Sequence, residues 1–193
     1  MALTTPRLAS SRSALAAAAL AGLTTLLSGC GSHGGADAAG PSPSASAATP
    51  SADPTTTAKN ELLAVYRKMW SQEETLYSSG SFNGVDLNDY AQNKALSNIK
   101  VTAAYYQDHG IVMHGAPVLS PRVTALDLAA KPGTATIKDC VDSSKYLPYY
   151  GDTGKPVDIQ GSASARHINT FQAQFFGGKW YIVDSSIDRS STC

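Results

Sequence analysis

The stretch ASARHINTFQAQFFGGKWYIVDSSIDR, Ala163 to Arg189, alternates apolar and polar side chains on both sides of Gly177-Gly178. Alternation with a period of two about a Gly-Gly pair predicts two antiparallel strands, Ala163 to Phe176 and Lys179 to Arg189, joined by a two-residue turn. Such a turn fixes the register, with Phe176 opposite Lys179. Phe175 then faces Trp180, Ala173 faces Ile182, Phe171 faces Asp184, Asn169 faces Ser186, and His167 faces Asp188. These later pairs share one face, apolar near the turn and polar at its far end. Phe171, Phe175, Trp180, Ile182 and Asp184 are thus expected to floor a cavity, with His167 and Asp188 at its end. A histidine oriented by a carboxylate can do general acid–base work. An ordinary cross-strand charge pair is the alternative, and a single bulge would turn Asp188 to the other face.

Working toward the N-terminus, Lys131-Pro132-Gly133 marks a second hairpin between strands Leu119 to Ala129 and Thr134 to Asp142. A shorter strand is expected from Ile111 to Val118, with Pro117 and Pro121 marking an edge or bend. Before Gly110 the period becomes helical. Leu62, Tyr66, Met69, Leu76 and Tyr77, flanked by Val65 and Trp70, form an amphipathic stripe that stops at Gly80. A second helix is expected to open at Asp86-Leu87-Asn88-Asp89 and to bury Leu87, Ala91, Ala95, Ile99, Ala103 and Tyr106. Tyr106 is a further candidate for lining the cavity. Helices followed by a curled antiparallel sheet make an α+β domain over residues 58–193.

The connection between the hairpins carries Tyr146, Tyr149 and Tyr150 around Pro148, an aromatic loop suited to capping the cavity, contacting a partner or packing on the sheet. Asp139, Asp142, Asp152 and Asp158 flank it without calcium-loop spacing and read as a solvated acidic rim. No cofactor fingerprint or metal-ligand spacing occurs, so neither a cofactor nor a metal is expected.

Residues 1–29 read as an address. Arg7 and Arg12 precede a small-residue apolar run that ends in Leu27-Ser28-Gly29-Cys30, which resembles a bacterial lipobox with Cys30 as the lipidated residue. An ordinary cleaved signal with an incidental cysteine is the alternative. Residues 30–57 are Gly, Ser, Ala, Pro and Thr with hardly a large apolar side chain, the composition of a flexible tether reaching about 30 Å. The whole chain has 15 basic and 15 acidic residues; removing the first 29 leaves 13 against 15, a net charge of −2. That balance provides no basic footprint for nucleic acid. With Cys30 taken by lipid, Cys140 and Cys193 remain as an even pair in an oxidising compartment. A meander brings both to the same end of the sheet, so a disulfide is expected, with two free thiols as the alternative.

Three elements together resemble a known group. They are the Gly177-Gly178-Lys179-Trp180-Tyr181-Ile182-Val183 ending, the Asp139-Cys140-Val141-Asp142-Ser143-Ser144 segment, and the Thr153-Gly154-Lys155 loop behind long N-terminal helices. The chain from about Ala58 is similar to the nuclear transport factor 2-like superfamily, and more closely to its secreted or lipid-anchored actinobacterial members. That resemblance implies a cone in which helices pack into a curved sheet, often around a cavity. The superfamily includes isomerases, dehydratases and polyketide cyclases as well as members without known activity, so fold does not give function. The expectation is a non-catalytic, lipid-anchored envelope protein at the extracellular face of the cytoplasmic membrane. It would bind a small apolar ligand, an envelope partner, or a second copy of itself through the outer sheet face. The alternative is a small isomerase, dehydratase or cyclase using His167 and Asp188.

Overall fold

Asp53-Pro54-Thr55-Thr56 is a helix start written in sequence: a short acid to cap, then proline where no N–H is needed. In the computed structural model, which describes residues 53–159 and 164–193, Asp53 accepts hydrogen bonds from the Thr56 amide and hydroxyl at 3.1 Å each. Helix α1 (Pro54–Ser79) follows, beginning ahead of the expected domain edge at Ala58. Residues 1–52, with the expected signal, Cys30 and most of the tether, lie outside the described residues. The expected stripe is the buried face of α1: Leu62, Tyr66, Met69, Trp70, Leu76 and Tyr77. Gly80, at φ 64°, ends the helix in the left-handed region and donates its N–H to the Leu76 carbonyl.

The second helix starts later than the capping pattern implies. Leu87–Asp89 forms only a 3₁₀ turn, and α2 runs from Asn93 to Asp108. The reason is a competing set of hydrogen bonds. Ile182 donates to the Tyr90 carbonyl and Gln92 donates to the Ile182 carbonyl, both at 2.9 Å, so Ala91 sits beside the last strand as a parallel bridge. Leu87, Ala91, Ala95, Ile99 and Ala103 are buried as expected, and Tyr106 is half-buried.

Six strands follow among the described residues: β1 (Ile111–His114), β2 (Pro121–Asp127), β3 (Gly133–Asp142), β4 (Leu147–Tyr150), β5 (Arg166–Phe176) and β6 (Lys179–Asp188). β2, β3, β5 and β6 form one antiparallel sheet in that order, and β1 pairs with β4 in a separate antiparallel ribbon. Gly177 and Gly178, at φ 60° and 82°, make the tight turn their sequence predicts. The tyrosine-rich connection is therefore not simply a loop: Tyr149 pairs with Val112 and Tyr150 with Ile111.

The register of β5 with β6 follows the expected one for its first half only. Phe176–Lys179, Phe175–Trp180 and Ala173–Ile182 are opposed, but Gln172 then meets Asp184. Val183 is the extra residue, and Ile182 and Val183, adjacent in sequence, are both buried. Beyond this bulge every expected pair moves by one. Phe171 opposes Ser185, Asn169 opposes Ile187, and Ile168 opposes Asp188. A second bulge lies in β2 between Val123 and Ala125. Bulges on the two outer strands bend the sheet, and α1 packs across its inner face onto β2 and β6. Ala135, Ile137, Asp139 and Val141 of β3, with Asn169, Phe171 and Ala173 of β5, form the buried row between them. The coarse α+β class is as the sequence predicts.

Candidate functional site

Between the C-terminal half of α1, the first turns of α2 and the far ends of β5 and β6 lies a cavity of about 230 Å³. Trp70, Tyr77, Phe171 and Ile99 give it apolar and aromatic walls; Glu73, Asn98, Thr102, Asn169, Ser185 and Ser186 give it polar ones. Phe171 is held from behind by edge contacts to Tyr66 and Trp70, at centroid distances of 4.8 and 6.4 Å. Tyr77 is fixed by donating its hydroxyl to the Ile99 carbonyl at 3.2 Å. Two buried wall residues keep a polar atom without a protein partner: Trp70 Nε1 and Asn169 Oδ1. Both atoms are sealed from water, and the Trp70 indole N–H lies beside the Tyr66 hydroxyl, so each is turned into the packed core behind the wall rather than toward the open space.

Glu73 is the acid of this site. It occupies the buried stripe of α1, four residues after Met69 and four before Tyr77. Part of it is exposed where it lines the cavity, yet the surrounding protein strips enough water to push its carboxyl up to about 7. Loss of hydration is the main cause and the neighbouring Glu74 charge adds to it, while the nearby Tyr77 hydroxyl opposes both. Burial in turn pushes the Tyr77, Tyr106 and Tyr146 hydroxyls well above their ordinary range, with the Glu73 charge as a further cause. Glu73 holds its proton more tightly folded than unfolded. Its contribution to stability is therefore complete below the unfolded value of 4.5 and is lost as pH rises through about 7. Denaturant titrations are expected to show the protein less stable at pH 8 than at pH 5 by on the order of 1–2 kcal/mol, and Glu73→Gln to remove most of that difference.

Of the sequence-predicted residues, Phe171 lines the cavity. Trp180 and Ile182 are buried core near the turn, at 1% and 0% exposure. Phe175 packs on Trp180 at 5.3 Å but is 36% exposed at the hairpin end. Tyr106 stands behind the cavity wall, edge-on to Tyr77 at 5.2 Å. Asp184, displaced by the bulge, opposes the exposed Gln172 and bonds Lys94 at 3.4 Å.

The His167–Asp188 pair does not form. Asp188 lies opposite Ile168, so it and His167 project from opposite faces of the sheet. Asp188 is tied to the Ser190 and Ser191 hydroxyls, which hold its carboxyl down at about 2, and His167 Nδ1 lies 3.2 Å from the Ser191 carbonyl. His167 instead borders a neighbouring depression with Val141, Tyr146 and Arg189.

The tyrosine trio splits. Tyr146 is buried with its hydroxyl unpartnered, Tyr149 stacks on His114 at 4.3 Å, and Tyr150 is exposed. Asp139 is no rim residue. It is 1% exposed and accepts from the Tyr66 hydroxyl at 2.7 Å and from the Ser120 amide. Cys140 and Cys193 are joined, with Cα atoms 5.9 Å apart. No group of three or more His, Cys, Asp or Glu side chains suited to a metal occurs among the described residues, and none of the described helices is long and apolar enough to cross a membrane.

Reasoning from residue type missed Glu73 and Asn169, although both had a signal in position. Glu73 interrupts an otherwise apolar helical stripe, and Asn169 shares its strand face with Phe171 and Ala173.

No protein-family model matches the chain, and no curated protein does. Nine solved chains match it. Among them is the crystal structure of the intermembrane space region of the chloroplast protein ARC6, 13% identical, with a TM-score of 0.38 over 72% of this chain and 98% of that one. A likeness of that size carries no inference about fold family or activity.

Proposed function

We propose that this chain is a lipid-anchored protein of the bacterial cell envelope that binds a small ligand in the cavity between α1, α2 and the sheet, without transforming it. In this reading Cys30 carries the lipid and holds the domain at the extracellular face of the cytoplasmic membrane. The fold is a nuclear transport factor 2-like cone, a reading supported by two helices packed on a sheet bent at two bulges. The observation that carries the ligand-binding function is a mostly apolar cavity, walled by Trp70, Tyr77 and Phe171, into which a single carboxyl, that of Glu73, and a few hydroxyl and amide side chains converge.

Full-length protein purified from envelope membranes is expected to carry acyl chains that Cys30→Ala removes. It is also expected to release a small molecule on denaturation, and Trp70→Phe/Asn169→Leu protein to release less of it. Absence of acylation would sink the anchoring. A cavity that takes up no small molecule would sink the binding and leave docking of an envelope partner, or of a second copy through the outer sheet face, in its place.

One observation favours a second reading, an enzyme of the isomerase, dehydratase or cyclase kind. A carboxyl held near neutrality inside a cavity has the proton affinity that general acid–base catalysis needs, and Glu73 rather than His167–Asp188 would supply it. Loss of turnover with retained binding in Glu73→Gln would identify that case.

A further inference from the structure

We infer that the ligand is a small organic cation: a protonated amine on a body of about one ring. The inference rests on the ligand-binding reading above and specifies its chemistry.

Charge comes first. Among the described residues Glu73 is the one carboxylic acid in the cavity wall, and no Lys, Arg or His lines it. An anionic guest would face that carboxyl with no counter-charge, whereas a cation would restore to the carboxylate the favourable surroundings it lost on burial. The polar lining agrees. Asn98 and Thr102 of α2 and Ser185 and Ser186 of β6 carry side-chain oxygens that can accept from the remaining N–H donors of an ammonium. Trp70, Tyr77 and Phe171 present aromatic walls, to whose faces a cation is attracted. The volume of about 230 Å³ equals roughly eight waters at about 30 Å³ each, which sets the size at about a ring and a short chain.

The surroundings of Glu73 make the preference sensitive to pH. On its own helix it meets Glu74 and Tyr77; across from it are Tyr106 of α2 and Tyr146 from the β3–β4 connection. On the sheet, Asp139 is already bonded by Tyr66, and His167 and Arg189 border the adjoining depression that shares Asn169 with the cavity. Because burial holds the Glu73 proton to about pH 7, a cation must displace that proton in acid and not in base. Amine affinity is thus expected to fall by about tenfold or more between pH 8 and pH 5.5.

The test uses detergent-solubilised full-length protein with its disulfide intact and three matched probes: tyramine, 4-hydroxyphenylethanol and 4-hydroxyphenylacetate. Binding is read by calorimetry and by Trp70 fluorescence, with Trp180→Phe to isolate that signal. Tyramine is expected to bind at least tenfold more tightly than the alcohol at pH 8. That preference should disappear at pH 5.5 and in Glu73→Gln, and the acid should not bind. Equal or tighter binding of the alcohol or acid, or a neutral or anionic molecule copurifying in the cavity, would overturn the amine assignment and leave ligand binding standing. If no probe binds and nothing copurifies, the ligand-binding reading fails and the amine assignment falls with it.

Discussion

Breaking the Cys140–Cys193 bond is expected to lower the unfolding free energy by about 4 kcal/mol, the chain-entropy value for a loop of this length. The two cysteines are 53 residues apart, so the bond closes off β4, β5 and β6 together. In a domain of this size such a loss moves the melting temperature by on the order of 10 °C. Thermal melts of the Cys140→Ala/Cys193→Ala double variant, and of the parent with and without reductant, measure it. The double variant should melt low and ignore reductant, while the parent should fall to meet it. A parent that melts at the same temperature reduced and oxidised would show that the bond restrains nothing the folded contacts do not already restrain.

Replacing Asp139 with alanine is expected to cost about 4 kcal/mol, because two buried donors lose their acceptor at once. The Tyr66 hydroxyl and the Ser120 amide both point at this carboxylate, which bridges α1, the segment before β2, and β3. Burial pushes the Asp139 carboxyl above its ordinary value, and the two hydrogen bonds and the Arg67 charge only partly reverse this. Tyr66→Phe should cost less, about 2 kcal/mol, because the carboxylate keeps the Ser120 amide. Pairing Tyr66→Phe with Asp139→Ala should cost clearly less than the sum of the single changes, since no orphaned hydroxyl or charge then remains on that side. Denaturant titrations of the four proteins give the coupling directly. Strictly additive costs would mean that the bond contributes nothing beyond the packing of its two residues.

Asp139 also shows what was and was not legible in the chain. Counting by twos from Ala135 and Ile137 puts it on the buried face of β3; judging it by residue type put it on a rim. Glu73 is the same case on a helix, a charged residue at a stripe position. Strand alternation for Asp139 and helical spacing for Glu73 place both side chains inward whatever their chemical character. The hairpin turn and the helix stripes are legible because each depends on local spacing, and the cysteine pair because only two cysteines remain once Cys30 is set aside.

The far half of the hairpin was not legible. Its register depends on the bulge at Val183, beside the point where Tyr90–Gln92 occupies the free edge of β6. That contact joins positions 90 residues apart, and no local pattern announces it. The pairing of β4 with β1 is likewise non-local, in a segment where Pro148 argues against a strand.

The disulfide has a mechanical consequence as well. A pull that enters at the start of α1 and leaves at the C-terminus runs through the chain to Cys140 and then crosses directly to Cys193. Everything between those cysteines, including the Asn169 and Phe171 wall of the cavity, lies off the line of force. With the bond intact the domain can pay out roughly 300 Å of chain, against roughly 490 Å once it is cut, at about 3.5 Å per residue. Tension across the domain would thus extend the helices and the first three strands and leave the β5–β6 hairpin inside the closed loop.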